Sequence, residues 1–203
     1  MEKTKLLLLI LLLPVVAFSQ FQERKEENWK FKLGFGTSTN YYQVKTTEWI
    51  GNHKSKVIFI TLGKRNFNIN VLFKPQTVNP LKGLNFDGVP LPQQAELNPI
   101  KLEMNLGYEY EMIYNFRIEP YLGYLNQSFT VINEEEIGHT YNIKSANGLT
   151  IGVNLFKYIY FGRGFSLGAF VNGNGNLINF QNVNPDLGNN YFALSFGLLF
   201  MGI

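Results

Sequence analysis

The 203-residue chain contains no cysteine, two histidines and two tryptophans. Without thiols it has neither disulfides nor thiolate metal ligands, so whatever holds the fold together is non-covalent. Charge is scarce as well: Lys and Arg number 18, Asp and Glu 15, for a net +3. One unit of that excess falls in the first five residues, so the basic face of a nucleic-acid binder is missing and no nucleic-acid partner is expected. Helical periodicity is absent too, since no window keeps apolar residues at 3.6-residue spacing. The long apolar run Leu6 to Phe18 falls short of the roughly 20 residues that a membrane-spanning helix needs.

That run is flanked by Lys3 and Lys5 before it and by Ala17 and Ser19 after it. Basic, apolar, then small residues at −3 and −1 of a cut before Gln20 is the layout of a secretory signal. Residues 1–19 are therefore expected to be a signal peptide and 20–203 a single exported domain. With no Cys after the cut, an N-terminal lipid anchor is excluded.

What the chain has in abundance is Phe (18), Tyr (11) and Gly (19), a mixture suited to strands and tight turns. Apolar residues recur at period 2, the strand period. Along "NWKFKLGFGTS", Trp29, Phe31, Leu33 and Phe35 alternate with Lys30, Lys32, Gly34 and Gly36. "PIKLEMNLGYEYE" sets Ile100, Leu102, Met104 and Leu106 against Lys101, Glu103, Asn105, Gly107, Glu109 and Glu111. "FRIEPYLGYL" opposes Ile118 and Leu122 to Arg117 and Glu119, and "GLTIGVNLF" opposes Ile151 and Val153 to Gly152 and Asn154. Leu167 in "GFSLGAFVNG" and Leu194, Phe196 and Leu198 in "YFALSFGLLF" continue the pattern. With "NFNINVLF" and "SKVIFITLG", the latter apolar on both parities, eight strands are predicted. Short links ("GKRN", "IYNF", "KYIYFGRG") alternate with long ones of roughly 15 to 25 residues. Short at one end and long at the other describes an antiparallel up-and-down meander, and eight strands close into a barrel whose interior side chains just fill.

Alternation looks the same when a barrel is turned inside out. A soluble carrier would put Phe and Leu inward. Mid-strand Gly on the polar face argues the reverse, because Gly weakens a solvated strand but makes room inside a narrow bore. Opposite charges share that face, aromatics collect near strand ends, and the turn asymmetry is that of outer-membrane barrels. The apolar set Phe31, Leu33, Phe35, Leu102, Met104, Leu106, Ile151, Val153, Leu167, Leu194, Phe196 and Leu198 is expected to face lipid. Lys30, Lys32, Lys101, Glu103, Glu109, Glu111, Arg117 and Glu119 are expected to form a charge plug in the lumen.

On "EPYLGY" and "FALSFGLLF", and on this architecture over the whole mature chain, the protein resembles the small eight-stranded outer-membrane barrels of Gram-negative bacteria, of the outer-membrane protein A and X type. The resemblance implies an outer-membrane location, contact with lipid and lipopolysaccharide, and insertion by the barrel-assembly machinery, which reads the last strand. Such strands usually finish on an aromatic residue, whereas here Phe200 is followed by Met201, Gly202 and Ile203.

Candidate chemistry is thin. His53 and Ser55 stand two apart on a strand, hence on one face, where His can act as base for a Ser nucleophile. Small barrel lipid A deacylases are similar in carrying a His-x-Ser pair near the outer rim, but no acid is specified here. His139 beside Glu134, Glu135 and Glu136 is one imidazole and a run of consecutive acids, which do not converge as ligands do. No metal or cofactor is expected. "NGNGN" precedes no helix and reads as loop rather than phosphate cradle. The expectation is a non-enzymatic envelope barrel with a structural or partner-binding role, alone or as a subunit of a membrane or secretion assembly. The Pro-rich loop 75–98 is its candidate contact for a protein partner. A deacylase at the outer rim and a soluble lipocalin-like carrier are the alternatives.

Overall fold

The computed structural model describes residues 29–78, 81, 84–86, 89–91, 96–132, 140–160, 165–183 and 187–202. The signal segment 1–19, the acidic run Glu134–Glu136 and His139 lie outside the described residues. Eight strands form the wall: β1 (Trp29–Tyr42), β2 (His53–Lys64), β3 (Phe67–Pro75), β4 (Glu96–Tyr108), β5 (Phe116–Ile132), β6 (Thr140–Tyr160), β7 (Phe165–Ile178) and β8 (Tyr191–Gly202). Each pairs antiparallel with the next, and β8 pairs back onto β1 with Phe35 opposite Leu198, so the sheet closes without a free edge.

Alternation sends successive side chains to opposite faces of this wall. On β2 it resolves the doubly apolar stretch: Val57 and Phe59 point into the bore, and Ile58, Ile60 and Leu62 point out. Outward positions carry the large exposed hydrophobics, among them Leu106, Leu122, Ile151, Phe196 and Leu198. Trp29, Tyr110 and Phe116 mark the end of the short turns, and Tyr41, Tyr124 and Phe192 mark the opposite end. An apolar outer belt with aromatic rims is a lipid-facing surface, and short turns then lie on the periplasmic side. The carrier alternative, with its greasy face inward, is overturned by this facing.

Three expectations about the connections are corrected. β6 runs for 21 residues, about twice what crosses the hydrocarbon, and β5 reaches Ile132, so their link is 133–139 rather than a long loop. Above the belt this hairpin turns polar residues outward; Tyr124 OH and Asn126 Nδ2 both donate to Asn147 Oδ1 at 2.6 Å. "NGNGN" is not loop: Asn172, Gly173, Asn174, Gly175 and Asn176 continue β7, the amides inward and the glycines outward. Lastly, the β1–β2 link contains a helix, α1 (Val44–Ile50). Thr46 and Ile50, one turn apart, are its buried face, and at seven residues it depends on that packing rather than on propensity. It stops at Gly51, whose φ of 66° suits glycine and whose N–H reaches the Thr47 carbonyl at 2.9 Å.

Candidate functional site

The candidate site is the bore itself, where every strand contributes its inward row. Near the periplasmic mouth, Glu109 Oε1 accepts from Lys30 Nζ and from Arg117 Nη1, each at 2.8 Å, and its other oxygen binds Lys32. Lys32, fully buried, also lies 3.7 Å from Glu119 and 3.9 Å over the Phe156 ring. Glu119 Oε1 accepts from Asn70 Nδ2 at 2.6 Å and Asn154 Nδ2 at 2.8 Å, while Asn68 donates to Oε2. A second cluster lies toward the outer end. Lys74 and Lys101, paired across β3 and β4, both reach Glu103 Oε1, at 2.9 and 2.5 Å. Asn174 Nδ2 donates to the other Glu103 oxygen, and Lys101 donates to Asn176 Oδ1, both at 3.1 Å. Buried charges of this kind persist only when paired and hydrogen-bonded.

Glycine makes the plug fit. A Cβ on Gly107 would stand 2.8 Å from Glu119 Cγ, and one on Gly152 would stand 2.5 Å from the Tyr121 hydroxyl. The carboxylate and the phenol occupy the space that those two positions leave empty.

Of the residues expected in the plug, Lys30, Lys32, Lys101, Glu103, Glu109 and Glu119 lie buried in the bore, and Arg117 lies partly buried at its mouth. Glu111 does not join them. Alternation breaks after Glu109, and Glu111 sits on the rim with its side chain 70% exposed, 3.9 Å from Arg117. Lys74 was not anticipated, although the parity of Asn68, Asn70 and Leu72 leads to it. The expected lipid-facing residues, from Phe31 on β1 to Leu198 on β8, all point away from the bore.

The bore is also less polar than its charges suggest. Phe59, Leu72, Phe156, Tyr158, Phe170 and Leu199 form an apolar cluster between the walls. At the outer end a second cluster, with Tyr42, Ile50, Phe129, Phe180, Val183, Leu187 and Tyr191, closes the mouth. Phe180, Val183 and Leu187 come from the β7–β8 link and Ile50 from α1, so two connecting segments fold inward as a lid. Thr46 joins them: its hydroxyl donates to the Gly188 carbonyl at 3.2 Å and accepts from the Gly188 N–H at 2.9 Å.

Beneath this lid the His53–Ser55 pair does not assemble a nucleophile. The His53 Nε2 atom is bonded to Gln76 Oε1 and lies 3.5 Å from Tyr42 OH, and Nδ1 lies 3.3 Å from the Gly51 carbonyl. Its ring partners are an amide, a phenol and a backbone carbonyl, with no orienting carboxylate among the described residues. The Ser55 hydroxyl is buried without a hydrogen-bond partner among the described residues.

Solved outer-membrane proteins are similar to this chain at low identity. A major outer membrane protein from Thermus thermophilus gives a TM-score of 0.52 at 11% identity, covering 85% of this chain and 98% of that one. Ail, the attachment invasion locus protein of Yersinia pestis, solved with the heparin analogue sucrose octasulfate, gives 0.49 at 10% identity over 87% and 99%. The outer membrane protease OmpT of Escherichia coli gives 0.39 at 11% identity over 89% and 99%. No protein-family model and no curated protein matches the sequence. What likeness at these identities shows is the fold, and fold does not fix function. By its closed ring of eight strands and its apolar belt, the chain is a small transmembrane β-barrel of the outer-membrane type.

Proposed function

We propose that this protein is a non-enzymatic envelope barrel of the Gram-negative outer membrane that works through its surfaces. The observation that carries the reading is the filled bore. Paired charges fill the bore below the lid and the apolar lid covers its outer end, and among the described residues these leave neither an aqueous path nor a reachable catalytic pair. Its outer face is where a partner meets it. Leu81, 60% exposed, is held there by its N–H to the Trp49 carbonyl at 2.6 Å, and the hairpin Leu84–Phe86/Val89–Leu91 follows in the same loop. The region 75–98 contains Pro75, Pro80, Pro90 and Pro92, which restrict its backbone, so it binds a partner with little ordering cost. Lipid and lipopolysaccharide surround the belt, the barrel-assembly machinery inserts it, and a membrane or secretion assembly is the setting in which loop 75–98 binds protein.

Three measurements test this. In planar bilayers the protein is expected to give no stepwise conductance. Incubated with lipid A, it is expected to leave the mass spectrum unchanged, and release of an acyl chain overturns the non-enzymatic reading. A photo-crosslinker at position 81 is expected to trap a discrete envelope component in cells, whereas the same group at the periplasmic rim position 111 does not. Identical patterns from both positions remove loop 75–98 as the contact.

A further inference from the structure

The outward belt is not smooth. Between two rows of side chains that run across the strands lies an apolar furrow of about 910 Å³. One wall is made by Lys64, Phe67, Tyr108, Pro120 and Val153, the other by Leu62, Ile69, Leu106 and Ile151. The floor is the backbone between them, where Asn68, Gly107, Tyr121 and Gly152 are successive cross-strand neighbours, the Asn68 and Tyr121 side chains turned to the bore and the two glycines bare. Pro120, compact and outward-facing, lowers the wall at the centre.

The length and slant of this furrow match one leaflet. Neighbouring strands are ~4.8 Å apart, so the path from Lys64 on β2 to Val153 on β6 crosses four spacings, about 19 Å. Barrel strands tilt by ~45°, and a line across them slants as much. It begins at the last residue of β2, on the periplasmic rim, and climbs to the middle of the belt on β6. One leaflet is about 15 Å deep, and the ~45° slant lengthens that to about 21 Å. Positive charge gathers at the lower end. The Lys64 ammonium lies 5.1 Å over the Trp29 ring, and exposed Arg65 follows in the turn. Arg65 and Trp29 also line a cavity of about 290 Å³ at the mouth, with Lys30 and Arg117 against Glu109 and Glu111.

We propose that the furrow binds an anionic phospholipid of the periplasmic leaflet. One acyl chain lies along the Gly107–Gly152 floor, and the phosphate sits at Lys64 and Arg65. A greasy trough one leaflet long, with cations only at the headgroup level, fits a phospholipid better than a protein segment, which would need no phosphate-level charge.

Trp29 stands at the head of the furrow and Trp49 is the other tryptophan, so a Trp49→Phe protein reports from the furrow alone. In bilayers containing a small fraction of chain-brominated phosphatidylglycerol, Trp29 quenching is expected at about fivefold lower mole fraction than with brominated phosphatidylcholine. The double variant Lys64→Gln/Arg65→Gln is expected to bring the two curves together. Pro120→Phe, which raises the low point of the wall and crowds the furrow without entering the bore, is expected to do the same, and Val153→Phe is a second filler should the first fail to fold by heat-modifiable migration. Equal quenching by both lipids overturns the proposal, as does a preference that survives the charge variant. A preference lost with the charges but kept with both fillers means attraction to the rim alone, and it also overturns the furrow.

Discussion

The bore below the lid and its outer end are both closed, but by different chemistry and from different parts of the chain. Below, Glu109, Glu119 and Glu103 are held by lysines, an arginine and asparagines, nearly all of them on barrel strands. At the outer end, Phe180, Val183, Leu187 and Ile50 pack as hydrocarbon, delivered by the β7–β8 link and by α1. A strand-borne plug cannot leave without opening the wall, so its energetics are those of the whole barrel. A loop-borne lid can detach while the wall stays closed, because connecting segments open locally at a fraction of the global free energy. The bore therefore has a fixed stopper below and a removable one above.

The strongest challenge to that contrast is Glu109→Ala. It strips one carboxylate from Lys30, Lys32 and Arg117 at once, and breaking a buried pair costs about 3–5 kcal/mol. Urea unfolding in micelles is expected to show a loss of that size, and an unchanged midpoint would mean the plug does not hold the wall. Gly107→Ala puts a methyl 2.8 Å from Glu119 and is expected to cost about 1–3 kcal/mol by overpacking, read from the same curves. Phe180→Ala sharpens the contrast from the other side. A fully buried Phe→Ala change costs about 3–5 kcal/mol when the whole fold depends on it; here the global midpoint is expected to move far less. A cysteine placed at buried Ala193, protected in the parent, should instead become reactive to an external thiol reagent. Protection retained in Phe180→Ala, with a large global loss, would make the lid part of the same cooperative unit as the plug. The smallest effect is expected for Thr46→Val, which removes the two hydrogen bonds to Gly188. It is worth about 1 kcal/mol and is visible as faster amide exchange in α1 without a shift in barrel unfolding.

Much of the barrel is legible in the residues. Period 2 over β1, β4, β6 and β8 separates Phe35, Met104, Val153 and Phe196 from their inward neighbours, because a strand offers two faces and a bilayer tolerates only one composition. The plug is legible for the same reason in Lys32, Glu103 and Glu119. It fails at Glu111, because β4 ends at Tyr108 and inward–outward parity is lost beyond Glu109. Lys74 was missed because it lies beyond the apolar run that defined β3. "NGNGN" reads as loop because alternate glycines imitate a turn, when they are simply the outward, unencumbered face of a strand whose asparagines serve the bore. The apolar layer of Phe59, Phe156 and Phe170 was hidden in the same way, since an inward Phe and an outward Phe are written alike.

Residue order alone was enough to set the number of strands, the two-faced wall and the charges inside it, since each is a local property of alternation and turn spacing. Which carboxylate holds which lysine, which connecting segments fold back over the mouth, and how two rows of outward side chains leave a furrow between them were settled only by closure of the sheet. Closure brings together residues as far apart as Lys32 and Glu119 or Thr46 and Gly188, and no local pattern specifies the register that does so.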